Sequence, residues 1–499
     1  MKRLINFTAV IIIVLLIAAV SFYILSPSNK RQAASAVPIS SRESIAILPF
    51  TNLGKDSDQD YLSEGFAEDI LNSLSRQKDV KINAGYSSFK FSGNSINAVD
   101  IGKKLGARNI LVGTYELKGD QINLSTSLID TKNGLAIWSM QYAENLDNIF
   151  ALQNRIVNTI EDKLNIISDE NDQQNTKKPT GNIDAYKMYL KGRASWNLRT
   201  PKALMTGIDF FKGAIAIDSA YAAAYAGIAD CYTALGYGSF LAPEKSFPIA
   251  FDAATKALKL DSTLAEPHAS LGYYQFYYQW DWAAAEQEFR TAISLNPNYA
   301  LAYDWYGYYL TAMKRYDEAK IMLAKAAELD PLSSPIVNDM GFCLYYAGDY
   351  DDAIEKLQQA IKINPNLGIA YIWVGRCCQA EKKYDQAINA YQHSIKLIPG
   401  WPVAFAQLGN VYGVSGNKGS ANNILDTLRL ISRAKYVTSY GVAIVYAGLG
   451  ETDSAFRYLD KSYEERTHWL VWLRSDPRWI SLRSDKRFKV LVNKVGLPQ

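Results

Sequence analysis

Apolar positions along this chain follow several rhythms, and each predicts a different element. From Phe7 to Leu25 they run together, broken only by Thr8 and Ser21, which is long enough to span a hydrocarbon core. Ser44–Phe50 (SIAILPF) and Val80–Ala84 are short apolar runs of strand type, and Ala98–Leu105 reads as a short helix. Between them, Leu62, Phe66, Ile70 and Leu74 form one helical stripe over Tyr61–Arg76. From Asn109 the pattern becomes a meander. Gly119-Asp120 and Asn133-Gly134 separate Asn109–Lys118, Gln121–Asp130 and Leu135–Tyr142, and Asn-Gly suits a tight hairpin turn. Ile122, Leu124 and Leu128 alternate with Asn123, Ser125 and Ser127, so one face of that strand is wet. Ile156, Ile160 and Leu164 give Leu146–Leu164 the apolar stripe of a closing helix. The order β-α-β-α-β-β-β-α predicts an α+β domain.

The second half of the chain keeps a longer beat. Pro297, Pro331, Pro365 and Pro399 stand 34 residues apart, and Gly307, Gly341, Gly375 and Gly409 share the spacing. So do Ala319, Ala353, Ala387, Ala421 and Ala455. A period of 34 with this placement resembles the tetratricopeptide repeat, a helix pair that buries its apolar face only by stacking on its neighbours. The earlier repeats are irregular, with a Gly/Pro loop at Gly236–Pro248, and the beat is clean from Leu271 to Ser462. Asp476-Pro477 reads as a helix N-cap followed by Pro at the first helical position, and Arg487, Lys489 and Lys494 make the last helix polar on one side. The expected organisation is an anchor at 1–25, a tether at 26–43, the α+β domain at 44–167, a polar linker at 168–182, an all-α solenoid at 183–466 and capping helices at 467–499.

Composition narrows the function. With 499 residues, two or three folded units are expected; a formal net charge of +3 without a basic stripe argues against nucleic acid as a partner. Lys2 and Arg3 before the apolar run are matched by Lys30 and Arg31 after it. A small-residue cleavage site would have to be Ala34-Ser35-Ala36, rather far from the run. The expectation is an uncleaved single-pass anchor in the cytoplasmic (inner) membrane, with the body of the protein extracytoplasmic, since long C-terminal domains translocate largely regardless of charge. Cys231, Cys343, Cys377 and Cys378 have no metal-ligand spacing and fall in helices, where free thiols are expected.

SIAILPFTNLGKDSDQDYLSEGFAEDILNSLSR and LGARNILVGTYELKGDQINLSTSLIDTKNGLAIWSMQYAENLDNIFALQNRI resemble the TolB amino-terminal-like domain. AYKMYLKGRASWNLRT and FFKGAIAIDSAYAAAYAGIADCY are similar to the repeat region joined to that domain in bacterial adenylate cyclases and CadC-type membrane regulators. Those relatives commonly carry a cyclase or winged-helix domain before the membrane segment. Here only six residues precede Phe7, so the resemblance implies the envelope-side interaction module and not the output chemistry.

Candidate chemistry is sparse. His268, His393 and His468 lack the spacing of a helical zinc site; Asp56, Asp58 and Asp60 imitate a calcium loop, but Tyr61 and Ala67 stand where it needs Gly and Glu. Neither enzyme activity, metal nor cofactor is expected. The repeat resemblance implies instead that first-helix positions line a concave groove for protein or peptide partners. Counted from the repeat glycine, those positions include Tyr273, Phe276, Tyr277, Asp304, Tyr308, Asn338, Phe342, Tyr345, Tyr346, Arg376, Gln379 and Asn410. A carboxylate clamp is absent, because its position is Asp304, Asn338, Ile372 and Ala406 in successive repeats. The alternative, that these aromatics pack between helices, stays open at this level. The expected function is a membrane-anchored scaffold or receptor, or else the extracytoplasmic sensor of a signalling system with a separate cytoplasmic effector.

Overall fold

The computed structural model describes residues 43–54, 59–91, 97–166 and 180–497. The expected anchor and tether, most of the linker, and Asp56 and Asp58 lie outside them. No helix among the described residues is long and apolar enough to cross a membrane. Everything below belongs to one compact unit, Glu43–Gln499.

A small sheet region comes first. Its strands are β1 (Ser44–Ile47), β2 (Thr51–Asn52), β3 (Lys81–Ile82), β4 (Asn109–Lys118), β5 (Gln121–Asp130) and β6 (Leu135–Asn145). They take the order β3-β1-β4-β5-β6, with β2 paired to β4 off this path. β1 is parallel to β3 and β4, whereas β4, β5 and β6 form the expected antiparallel meander. The apolar run Ser44–Phe50 is not one strand, because Pro49 has no N–H for a ladder. The chain leaves the sheet there, and Phe50 bonds to Ser63 instead, N–H to carbonyl at 3.1 Å. The turn after β5 is also looser than a two-residue hairpin: of Asn133-Gly134, Gly134 alone takes positive φ, at 73°.

Helices α1 (Tyr61–Leu74), α2 (Gly85–Ser88), α3 (Ala98–Leu105) and α4 (Ile149–Leu164) complete this region. α1 and α4 bury Leu62, Phe66, Ile70, Ile156 and Ile160 against Leu124 and Leu128, while α3 covers Ala46, Leu48 and Ile110 on the opposite face. Asn97 caps α3 by accepting the N–H groups of Val99 and Asp100.

Eight helix pairs follow: α5 (Ile183–Asn197) with α6 (Pro201–Ile217), α7 (Ala222–Tyr237) with α8 (Pro243–Leu260), α9 (Ala265–Tyr274) with α10 (Trp282–Leu295), and α11 (Ala300–Ala312) with α12 (Tyr316–Leu329). Then come α13 (Ser334–Ala347) with α14 (Tyr350–Ile363), α15 (Gly368–Ala380) with α16 (Tyr384–Leu397), α17 (Pro402–Val414) with α18 (Lys418–Ile431), and α19 (Ser439–Leu449) with α20 (Thr452–Glu464). The glycine beat marks the closest approach within a pair. A Cβ on Gly307 or Gly341 would meet Leu323 or Leu357 at 2.8 and 2.7 Å, and one on Gly375 would meet the Tyr391 ring at 2.4 Å. The alanine beat supplies the small residues of the facing helix, all fully buried. One departure from the beat has a local cause. Gly272 and Ala285 are 13 residues apart where Gly307 and Ala319 are 12 apart, and the extra residue is absorbed as a π turn at Gln275–Gln279.

The polar stretch before α5 does not separate two independent bodies. Helix α1 packs directly on α5, and one apolar core runs from the sheet into the first pairs. Leu190 occupies the space a side chain on Gly65 would need. A second contact is made by Asn298. Its amide N–H groups donate to the carbonyls of Ser75, Gln77 and Val80 at 3.0, 2.9 and 3.1 Å, and its oxygen accepts from Ile82 N–H at 3.0 Å. The Ser87 hydroxyl donates to the Asp330 carboxylate beside it.

Candidate binding surfaces

The residues expected to line a groove do share the inner, first-helix face, but none is open to a partner. Tyr273, Phe276, Tyr277, Asp304, Tyr308, Asn338, Phe342, Tyr345, Tyr346, Arg376, Gln379 and Asn410 are all buried. Many of their polar groups bond within that face. Tyr308 and Asn338 donate to Asp339 at 2.6 and 2.8 Å, and Gln379 donates to Asn410 at 2.6 Å. Asn410 donates to the carbonyl of Ile444 at 2.5 Å, and Arg376 donates to Gln407 at 3.1 Å. Asp304 lies beside Asp339, and burial pushes the Asp339 carboxyl up to about 7.

The face is closed by the chain's own C-terminal segment. Residues expected to cap the end of the stack instead enter its inner side as two 3-10 turns, His468–Trp472 and Pro477–Leu482. Trp472 stacks on Tyr346 with centroids 4.6 Å apart and meets Phe342 edge-on at 4.9 Å. The Arg376 guanidinium lies between two indoles, 4.2 Å from Trp373 and 5.1 Å from Trp469. Arg478, almost wholly buried, pairs with Asp476 and donates to Gln407 at 2.5 Å. Burial alone would raise the Asp476 carboxyl, but the Arg478 and Arg376 charges hold it below its usual range. Asp476 caps its turn as expected, accepting from Arg478 N–H, and Trp479 donates to Tyr440 at 2.7 Å. The final helix, α21 (Lys486–Val495), packs on the second helix of the last pair, through Arg487 and Asp453 at 2.8 Å.

Magnitude decides what this means for a partner. Trp469, Leu470, Trp472, Leu473 and Trp479 are each 5% exposed or less. At ~2 kcal/mol for each buried side chain, their gross burial is about 10 kcal/mol. A partner would have to replace that burial with its own to reach the face.

The other candidate is a cavity of about 240 Å³ where the sheet region meets the first three pairs, lined by α1, α4, α5, α7 and the turn before α9. Asp69 accepts from Tyr186 and, at 3.0 Å, from Gln153; burial pushes its carboxyl up to about 7. Arg193 bridges Glu68 at 2.6 Å and Asp230 at 3.3 Å, and burial pushes Asp230 up to about 6. The Tyr221 hydroxyl, fully buried in the lining, has no hydrogen-bond partner among the described residues. Sequence reasoning missed this site, since α1 and α5 are joined by no local pattern.

The histidines and cysteines are engaged structurally. His268 bonds to Glu288 at 2.6 Å, His393 lies against the Tyr371 ring, and burial drives the His468 imidazole down to about 3. All four thiols are free and buried, and burial pushes Cys231 up to about 12, the opposite of a reactive thiolate.

The stacked helix pairs are repeats of the tetratricopeptide type. Residues 300–331 match the tetratricopeptide repeat family, and residues 340–394 match "Anaphase-promoting complex, cyclosome, subunit 3". A putative adenylate cyclase 3 of Rhizobium meliloti (strain 1021) is 28% identical over 189 residues. That match takes in 38% of this chain, which spans about a third (32%) of the relative's length. Among solved structures, Pseudomonas aeruginosa PilF is 22% identical over 41% of this chain and 91% of that one, with a TM-score of 0.31. YrrB, described as a tetratricopeptide protein with an unusual peptide-binding site, is 24% identical over 37% of this chain and 94% of that one, with a TM-score of 0.26.

Proposed function

We propose that this chain is a non-enzymatic protein-interaction scaffold, anchored in the cytoplasmic membrane by residues 7–25 with its body on the extracytoplasmic side. The observation that carries the interaction reading is the uninterrupted stack of eight helix pairs. Its sheet region is read as a TolB amino-terminal-like domain, supported by the strand and helix order and the quoted segments. The partner-binding surface is the mouth of the junction cavity, because the inner face is already filled by residues 468–482. Arg193 is taken up by Glu68 and Asp230, and the acids Asp261 and Glu266 line the cavity with Arg76 as its other cation. That excess of acid suits a protein segment presenting Lys or Arg. Partners captured by the full-length protein are re-tested against Asp261→Lys/Glu266→Lys. Binding weakened about tenfold or more supports the reading. Unchanged binding by a correctly folded variant refutes the cavity as the site.

A second reading, the sensor of a signalling system with a separate cytoplasmic effector, is favoured by one observation. The cavity is lined by the sheet region and by the first helix pairs together, so an occupant would bear on both regions at once. Loss of signalling when 1–42 are removed, with partner binding intact, would separate this reading from a passive scaffold.

A further inference from the structure

The two edges of the sheet are treated differently. β3 is two residues long, and Asn298 takes its Ile82 N–H and the adjoining Val80 carbonyl. That edge is blunted in the way natural sheets avoid pairing with other chains. β6 is 11 residues long, stands at the opposite end of the order, and pairs among the described residues with β5 alone. From Leu135 to Ala143 it carries no charge and no proline, two usual guards of an edge strand; a third, a β-bulge, sits at Ile137 and leaves Trp138–Ala143 in regular register with β5. Leu135, Ile137 and Met140 are 66%, 41% and 48% exposed along it.

We propose that β6 pairs antiparallel with β6 of a second copy of this chain, joining the two sheets across a two-fold axis at Met140. The strand is self-complementary about that residue. Trp138, Met140 and Tyr142 lie opposite Leu128, Thr126 and Leu124 of β5, so they share the apolar face. Antiparallel pairing about Met140 sets Trp138 beside the partner's Tyr142 and Met140 beside the partner's Met140. Aromatic and apolar cross-strand pairs are the stabilising unit of a sheet. On the other face Ser139 meets the partner's Gln141, and no like charges oppose each other. Glu144, the one charge on the strand, already pairs with Arg155 of α4. Because the β3 edge is blocked, the association is isologous and closes at two copies; it cannot extend into a fibre.

The test is sedimentation equilibrium of the full-length protein in a mild detergent. A two-chain mass that dissociates on dilution is expected. Met140→Lys and Met140→Glu are each expected to weaken the dimer about tenfold or more, and mixing the two variants restores it. Met140→Cys should form a disulfide-linked dimer on mild oxidation, while Ser127→Cys on β5 should not. A single-chain mass at every concentration overturns the proposal. So does a dimer that both charge variants leave intact, or one that Met140→Cys does not cross-link.

Discussion

If the C-terminal segment is a built-in occupant of the inner face, removing its central anchor should destabilise the solenoid as a core substitution would. Trp472 is 1% exposed and contacts Phe276, Tyr277, Phe342 and Tyr346, which come from α13 and the turn after α9. Truncating a buried Trp to Ala costs about 3–5 kcal/mol, because the lost transfer energy is joined by a cavity the neighbours do not fill. Trp472→Ala should therefore lower stability by that amount in urea-induced unfolding. Ile480→Ala, in the same segment but 62% exposed, should change it by less than ~0.5 kcal/mol. The stacked pair Trp472–Tyr346 adds a sharper test. A double-mutant cycle with Tyr346→Ala should give a coupling of about 1 kcal/mol, the range of a buried aromatic pair. Stacked repeats need not unfold in one step, so each variant is also followed by proteolysis after Glu464, where release of the segment would appear first. A stability within ~1 kcal/mol of the parent for Trp472→Ala would refute the reasoning. The segment would then be a loosely held tail, and the inner face would be open to partners after all.

Three further outcomes follow from the same contacts. Asn298→Ala leaves three carbonyls and one N–H without their partner at the junction, and a loss of roughly 3 kcal/mol is expected, with faster amide exchange at Ile82. Gly375→Ala forces a methyl to within 2.4 Å of the Tyr391 ring and should cost about 1–3 kcal/mol, read as a lower melting temperature. Asp339, raised from 3.8 to about 7, binds a proton in the folded state that the unfolded chain has released. The contribution of the Asp304–Asp339 pair is therefore fully present below pH ~4 and is lost as pH rises through ~7; Asp339→Asn should lessen the fall in stability over that range without abolishing it, because burial raises Asp69 and Asp230 into it too. A parent curve that rises between those values, with the variant parallel to it, would contradict the assignment.

Sequence alone determined what depends on near neighbours. The meander, the stripes of α1 and α4 and the solenoid's pairs each rest on contacts within about one repeat of chain, so periods of 2, 3.6 and 34 carry them. Even the inner-face register of Tyr308, Phe342 and Arg376 was legible, because position within a repeat sets direction. What those residues touch was not. Tyr346 and Trp472 lie more than a hundred residues apart, and their stacking follows from where the C-terminal segment returns along the stack, which no local spacing encodes. The same holds for Asn298, an ordinary turn residue by its neighbours, whose four hydrogen bonds exist only once the sheet has docked. It holds for Asp69 and Arg193, brought to one cavity by the contact of α1 with α5. Tertiary structure alone decided which apolar faces remained open. Burial is settled by which distant segment covers a face most favourably in the folded state, and here the C-terminal segment covers the groove while, among the described residues, the outer edge of β6 pairs with no strand.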